Sequence, residues 1–200
     1  MLSRRIFPLI CAAALASCSG GGSGWHGANV TGSVPALAFD MTRASTGKAV
    51  TADDFRGQVT ALYFGYTYCP DVCPMTLSNM GKVLRQMGDA ANSVRVLFVT
   101  VDPKRDTPAE VAQYVKAFGP QFVGLVGNDD QIARIAKRYR VAYSVKPDND
   151  PAKYEVTHSG ALYIFDRDGE ARLLENSLST DQPDIAGVAA DLKRLVAQKP

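Results

Sequence analysis

Two cysteines, Cys69 and Cys73, lie four residues apart near the middle of the chain. They follow an apolar run, Val59–Phe64, which predicts a buried strand, and they precede a helical pattern that begins near Met75. At the N-terminus of a helix, unpaired N–H groups and the helix dipole favour a thiolate, so we expect a lowered thiol pKa. If the segment is helical, both sulfurs share one face and the Cα atoms lie about 6 Å apart, a distance that a disulfide can bridge. The pair could therefore close as a disulfide or bind a soft metal ion.

Alternating strand and helix patterns surround the cysteine pair. Further apolar runs predict strands at 94–101, 122–126 and 161–166, and periodicity with capping signals predicts helices at 75–88, 108–118, 128–140 and 182–197. Segments 143–146 and 153–156 look like the two arms of a hairpin that precedes His158. This order predicts an α/β fold with a mixed central sheet flanked by helices. Such folds place their sites at the carboxyl ends of strands, which is where the cysteines lie.

Charge and length limit the classes of function. The chain has 200 residues, with 22 Lys or Arg and 20 Asp or Glu, so its formal net charge is +2. Removing residues 1–17, which carry Arg4 and Arg5 but no acidic residue, leaves 20 charges of each sign and a net charge of zero. This balance gives no indication of nucleic-acid binding or of a polybasic membrane patch. The length suits one domain behind a leader.

The first residues have the pattern of a secretory signal peptide. Arg4 and Arg5 precede an apolar stretch, Ile6–Ala16, that is short for a membrane-spanning helix. The sequence Leu15-Ala16-Ser17-Cys18 then resembles a bacterial lipobox, which implies that Cys18 is lipidated and becomes the first residue. The alternatives are an ordinary signal peptide with a chance cysteine, or an uncleaved anchor.

A Gly/Ser-rich stretch follows Cys18 and predicts a flexible tether. We therefore divide the chain into a lipoprotein signal peptide at 1–17, a tether at 18–33 and a folded domain at 34–200. A lipid on Cys18 predicts a protein of the bacterial cell envelope that faces the periplasm, with the inner membrane favoured over the outer.

The segment Asp102–Pro108 follows the second predicted strand and contains a capping signal. Thr107 suits the N-cap of the next helix, Pro108 its first position, and Glu110 completes a capping box. On their own, Asp102 and Asp106 are interpreted as loop and capping residues, in a loop that could also shape a partner surface.

Three motifs, in order along the chain, together resemble the Sco/SenC family. They are Cys69-Pro70-Asp71-Val72-Cys73-Pro74 with the preceding Phe64–Thr67, the segment Asp102–Pro108, and His158 before Ser159. The resemblance extends over Val34–Ala197. It implies a thioredoxin-like fold, in which His158 lies where thioredoxins have a proline before the strand beside their redox site.

The resemblance also implies a function and a site. Sco proteins are membrane-anchored copper proteins that deliver copper to, or maintain the thiols of, the binuclear copper site of cytochrome c oxidase. Their ligands correspond to Cys69, Cys73 and His158 of this chain. The implied partners are the copper-site subunit of the oxidase and other copper chaperones, and we expect a monomer. Thr157 departs from the family pattern, which often has Asp before the histidine, so the role of that Asp is open here.

Ligand chemistry leaves some alternatives open. Two thiolates favour Cu(I), and an added imidazole allows Cu(II) to bind as well, but zinc would accept the same three ligands together with a fourth. Cys69 and Cys73 could instead form an inert disulfide, or serve as the redox-active pair of a thiol–disulfide oxidoreductase. A thiol peroxidase or a redox or copper sensor is a further hypothesis. We favour a metallochaperone without catalytic residues.

Overall fold

Three parallel strands form the centre of the molecule. The computed structural model describes residues 24–146 and 155–198. Strand β4 (Val59–Gly65) pairs in parallel with β5 (Val94–Thr100), which pairs in parallel with β6 (Phe122–Val126). All seven residues of β4 are buried, as expected of a continuous apolar run inside a parallel sheet. These three strands confirm the predicted ones.

Antiparallel strands complete the sheet on both sides. The additional strands are β1 (Ala28–Asn29), β2 (Asp40–Arg43), β3 (Ala49–Thr51), β9 (Leu162–Phe165) and β10 (Ala171–Glu175). The order is β1-β10-β9-β4-β5-β6-β2-β3, and β9 pairs antiparallel to β4. The sheet is therefore mixed, as predicted, and the described part of the chain contains eight strands in it.

In the part of the chain that the structure describes, four helices flank this sheet. They are α1 (Val72–Met87), α2 (Pro108–Lys116), α3 (Asp129–Arg138) and α4 (Ile185–Ala197). Three short 3-10 helices lie at Ala52–Phe55, Gly88–Ser93 and Ser177–Ser179. Helices α1 and α4 pack against each other, and α2 packs on β6. Within the described residues, no helix has both the length and the apolar character that crossing a membrane requires.

Helix α2 begins where its local signals predicted. Thr107 Oγ1 accepts a hydrogen bond from the Glu110 backbone N–H at 3.3 Å, and the Thr107 N–H donates to Glu110 Oε2 at 2.8 Å. The hydrogen bond from the Thr107 backbone is the main cause that lowers the pKa of the Glu110 carboxyl. The predicted capping box is confirmed, and the carboxylate is held in its charged form.

The predicted hairpin is present, but its second arm lies further along the chain. Strand β7 (Tyr143–Lys146) pairs antiparallel with β8 (Glu155–His158), with Tyr143 opposite His158. The sequence predicts a hairpin that ends before the histidine. In the structure, His158 is the last residue of β8 and therefore belongs to the hairpin. The turn residues 147–154 lie outside the described residues.

Part of the predicted tether, residues 24–33, packs on the folded domain. Strand β1 pairs with β10, and the backbone N–H groups of His26 and Gly27 each donate to Asp191 Oδ2 at 2.9 Å. The Arg194 guanidinium lies 3.9 Å from the centre of the Trp25 ring. Residues 24–33, which we had assigned to the tether, therefore contact the domain. Residues 1–23, which include Cys11 and Cys18, lie outside the described residues.

Candidate metal centre

The two predicted cysteines meet between β4 and α1. Strand β4 ends at Gly65, a turn follows in which the Cys69 N–H donates to the Tyr66 carbonyl at 3.3 Å, and Cys73 is the second residue of α1. The Cys73 backbone N–H donates to Cys69 Sγ at 3.4 Å. Both cysteines are in the thiol form, Cys69 is 8% exposed and Cys73 is fully buried. The chain therefore holds two soft sulfur ligands in one place, although Cys69 lies in the loop and not on the helix.

The lowered thiol pKa that we expected at a helix N-terminus is wrong for Cys73. A hydrogen bond with the Cys69 side chain raises the pKa of Cys73, and burial raises it further. Hydrogen bonds with the Tyr66 backbone and the Tyr63 side chain lower the pKa, but they do not outweigh these causes. The protonated form is favoured because the Cys73 thiol is hydrogen-bonded to Cys69 and because a charged sulfur at this position would lose its hydration. A metal ion that bound Cys73 would therefore displace a proton.

Two tyrosines that the sequence analysis did not single out line the thiols. Burial raises the pKa of Tyr66 to about 12, and the nearby Cys69 and Cys73 contribute to this rise. Burial likewise raises the pKa of Tyr63, and the neighbouring Cys73 contributes to this rise. Both phenols keep their protons at neutral pH, so they can donate to a thiolate. Tyr63 lies in the apolar run of β4, and no pattern in the local sequence indicates that it contacts Cys73, ten residues later.

Gly65 allows the backbone to approach Cys73 closely. A Cβ at residue 65 would lie 2.9 Å from Cys73 Sγ and 2.8 Å from Phe98 Cε2, which is closer than real side chains approach. Phe98 is fully buried in the core, so it has little room to move away. A side chain at position 65 would therefore displace either the aromatic core or the Cys73 sulfur.

We expect the substitution Gly65→Ala to destabilise the reduced protein by about 1–3 kcal/mol, which is the usual cost of overpacking a core. We also expect weaker copper binding, because the added methyl group presses on Cys73 Sγ. Urea unfolding and competition titrations measure the two effects. The matched control is Gly81→Ala in α1, where the nearest atom to the new Cβ lies at 3.3 Å. If Gly65→Ala behaves like this control in both measurements, the close approach has no importance.

The loop after β5 covers one side of the cysteine turn. Arg105 Nε donates to Asp102 Oδ2 at 2.6 Å, and its guanidinium lies 5.8 Å from the centre of the Tyr66 ring and 5.2 Å from that of Tyr68. Asp102 is buried, whereas Tyr68 is 55% exposed. Asp106 contacts the cysteine turn directly through Thr67. The segment Asp102–Pro108, which was predicted as a loop and helix cap, therefore lines one side of the site.

The third predicted ligand, His158, is located by its backbone alone. Two residues later, a Cβ at Gly160 would lie 3.7 Å from Cγ2 of Val72, the neighbour of Cys73. Two residues span at most about 7 Å, so the backbone of His158 lies near the N-terminus of α1. Among the residues whose side chains are described, no three metal-ligating side chains gather in one place. The contribution of the His158 imidazole stays a prediction.

A model of the SCO1/SenC family matches residues 35–197, which is most of the chain. The chain belongs to the SCO1/SenC family. Sco-family proteins are involved in copper binding and in the assembly of cytochrome c oxidase. A Sco relative, the bovine mitochondrial SCO2 homologue, is 47% identical over 118 residues, which cover 58% of this chain and 44% of that protein. The match thus spans less than half of the bovine protein.

Solved Sco structures share this fold. The copper-bound structure of ScoI from Bradyrhizobium japonicum has 40% sequence identity and a TM-score of 0.70, and the match covers 81% of this chain and 99% of that one. The copper-bound structure of yeast Sco1 has 28% identity and a TM-score of 0.71, with 84% and 91% covered. The predicted thioredoxin-like α/β fold is confirmed. Close structural neighbours of the chain are therefore Sco proteins that contain copper.

Proposed function

We propose that this protein binds copper through Cys69, Cys73 and His158, and that it serves as a membrane-tethered factor in the assembly of the binuclear copper site of cytochrome c oxidase. The observation that carries the proposal is the contact between two buried cysteine thiols in a member of the SCO1/SenC family. Two thiolates suit Cu(I), and an imidazole from His158 extends the donor set to Cu(II). Partners would be the copper-site subunit of the oxidase and other copper chaperones.

The surroundings of the sulfurs suit a site that gains and loses copper. Without the metal, the hydrogen bond between Cys73 and Cys69 keeps the proton on Cys73, as the raised pKa indicates. If copper bound, that proton would leave, and the Tyr66 N–H together with the Tyr63 hydroxyl would stabilise the thiolate. The positive charge of the metal would replace the proton, so a charged sulfur would not be left unpaired in the interior.

A titration tests copper binding directly. The mature, anaerobically reduced protein should bind one equivalent of Cu(I) in competition with a chelator of known affinity. Cys69→Ala and Cys73→Ala should each lose tight binding because one thiolate is missing, whereas Ser78→Ala, an exposed change in the same helix, should not. Failure of the wild-type protein to compete for copper would overturn the proposal.

Thiol–disulfide exchange is the second candidate function, and the unequal exposure of the cysteines favours it. Cys69 is 8% exposed and Cys73 is fully buried, so Cys69 would be the first to reach a disulfide of a partner protein. The Cys69 thiolate would attack that disulfide, releasing one partner thiol and forming a mixed disulfide. Cys73 would then attack the Cys69 sulfur, release the second partner thiol and leave a Cys69–Cys73 disulfide. Such exchange would maintain the thiols of the oxidase copper site.

The lipid anchor belongs to the same proposal. We expect Cys18 to carry the lipid, because Leu15-Ala16-Ser17-Cys18 resembles a lipobox and a Gly/Ser stretch follows. Mass spectrometry of the detergent-extracted protein should show a chain that begins at Cys18 with an added diacylglyceryl group. Cys18→Ala is the control and should lack this mass. A mature chain that keeps Met1, or begins elsewhere without lipid, would contradict the prediction and the periplasmic membrane location that rests on it.

A further inference from the structure

Asp106 is a buried carboxylate that faces the cysteine turn. It is 2% exposed, and it lies in the predicted loop Asp102–Pro108 but does not cap α2, because Thr107 does so. The Thr67 backbone N–H donates to Asp106 Oδ2 at 3.0 Å and to Oδ1 at 3.2 Å, and Thr67 Oγ1 donates to Oδ1 at 2.5 Å. A buried carboxylate is costly unless hydrogen bonds compensate, so these contacts hold Asp106 and Thr67 together.

The other side of the same carboxylate is fixed to the sheet. Thr100, the last residue of β5, is fully buried, and its Oγ1 donates to Asp106 Oδ2 at 2.5 Å. Thr100 Oγ1 in turn accepts the Asp102 N–H at 3.0 Å, which fixes the orientation of the hydroxyl. Asp106 therefore bridges the end of β5 and the turn before the cysteines.

This bridge acts on Cys69, whose backbone lies outside the helix although its sulfur accepts the Cys73 N–H. Cys73 belongs to α1, so the backbone hydrogen bonds of the helix fix its position. Cys69 lies before the helix and is attached to the turn that begins at Tyr66, in which Thr67 is the next residue. The position of Cys69 Sγ relative to Cys73 thus depends on how firmly Thr67 holds the turn, in addition to the hydrogen bond from the Cys73 N–H.

We propose that Asp106 is a positioning residue of the site: through Thr67 it holds Cys69 against Cys73. The effect of Asp106 on copper affinity rests on the proposed function. Its effect on disulfide formation does not, since that reaction needs only the two thiols.

Disulfide formation gives a readout that is independent of copper. The two thiols and oxidised glutathione are converted to the Cys69–Cys73 disulfide and two molecules of reduced glutathione, so atoms and electrons balance. Loosening the turn lowers the effective concentration of one thiol near the other and disfavours the disulfide. We expect Asp106→Ala to lower the equilibrium constant about tenfold, which corresponds to about 30 mV in reduction potential. Thr67→Val keeps the backbone donor but loses the hydroxyl, and Asp106→Asn keeps one acceptor oxygen. We expect each of these two variants to lower the equilibrium constant about threefold.

Asp191 offers a matched control. It is a buried carboxylate, 4% exposed, that accepts two backbone N–H groups from the N-terminal segment. Asp191→Ala should lose stability in urea much as Asp106→Ala does, but it should leave the glutathione equilibrium unchanged. Equal shifts in the two variants, or no shift in Asp106→Ala, would overturn the proposal. If Asp106→Ala does not fold, the absence of a shift in both Thr67→Val and Asp106→Asn would overturn it.

Copper titrations of the same variants distinguish a failure of the positioning role from a failure of the proposed copper-binding function. Asp106→Ala should weaken Cu(II) binding at least tenfold and broaden the visible bands of the Cu(II) form, whereas Asp191→Ala should match the wild type. If the wild-type protein binds no copper but Asp106→Ala shifts the glutathione equilibrium, the proposed function fails and the positioning role is supported. If the wild type binds copper and Asp106→Ala matches it in both assays, the positioning role fails alone.

Discussion

Oxidation to a Cys69–Cys73 disulfide is expected to abolish tight copper binding. The oxidation removes two electrons and two protons from the pair, and it joins the two sulfurs that would otherwise bind the metal. Structural metal sites of about four ligands contribute roughly 10–16 kcal/mol, so each ligand is worth on the order of 3 kcal/mol. Losing two thiolates should then cost about 6 kcal/mol, or roughly four orders of magnitude in affinity.

The measurement compares copper retained after gel filtration by oxidised, reduced and re-reduced protein. A thiol assay must first confirm that the oxidised sample has no free Cys69 or Cys73. Recovery of one equivalent of copper on re-reduction is the control for irreversible damage. One equivalent retained by the verified disulfide form would show that the metal binds elsewhere.

The second large effect concerns His158, whose loss should affect the two copper oxidation states unequally. Cu(I) is soft and can be held by two thiolates, so His158→Ala should weaken its binding by about tenfold at most. Cu(II) is harder and needs a nitrogen ligand, so its affinity should fall by at least about a hundredfold. Competition titrations in each oxidation state, with visible spectra of the Cu(II) form, measure both values.

The only other histidine of the chain provides the matched control. His26 belongs to the N-terminal segment, and its Nδ1 lies 3.0 Å from Asp184 Oδ2. His26→Ala should therefore leave both copper affinities unchanged. Equal losses of Cu(I) and Cu(II) affinity in His158→Ala would contradict the argument from ligand softness. Unchanged affinities would leave the thiol–disulfide oxidoreductase as the better account of the cysteine pair.

Much of the fold follows from interactions between near neighbours in the chain. The buried strands β4, β5 and β6 were predicted from continuous apolar runs, and α2 from Thr107, Pro108 and Glu110. These signals are local because a cap or a helical face involves residues within about four positions. The N-terminal segment shows the opposite case: its composition predicted a tether, but Asp191 and β10 bind it from more than 140 residues away.

The sequence by itself determined the pair of thiols, their place at the carboxyl end of a strand and the family to which the chain belongs. Only the tertiary structure decided the state of those thiols. The pKa of Cys73 is raised, not lowered, because packing removes the sulfur from water and brings it against Cys69. The role of Asp106 likewise depends on the parallel pairing of β4 with β5, which brings together residues 39 positions apart in the chain. Such contacts arise from the order of strands in the sheet, and local periodicity carries no information about that order.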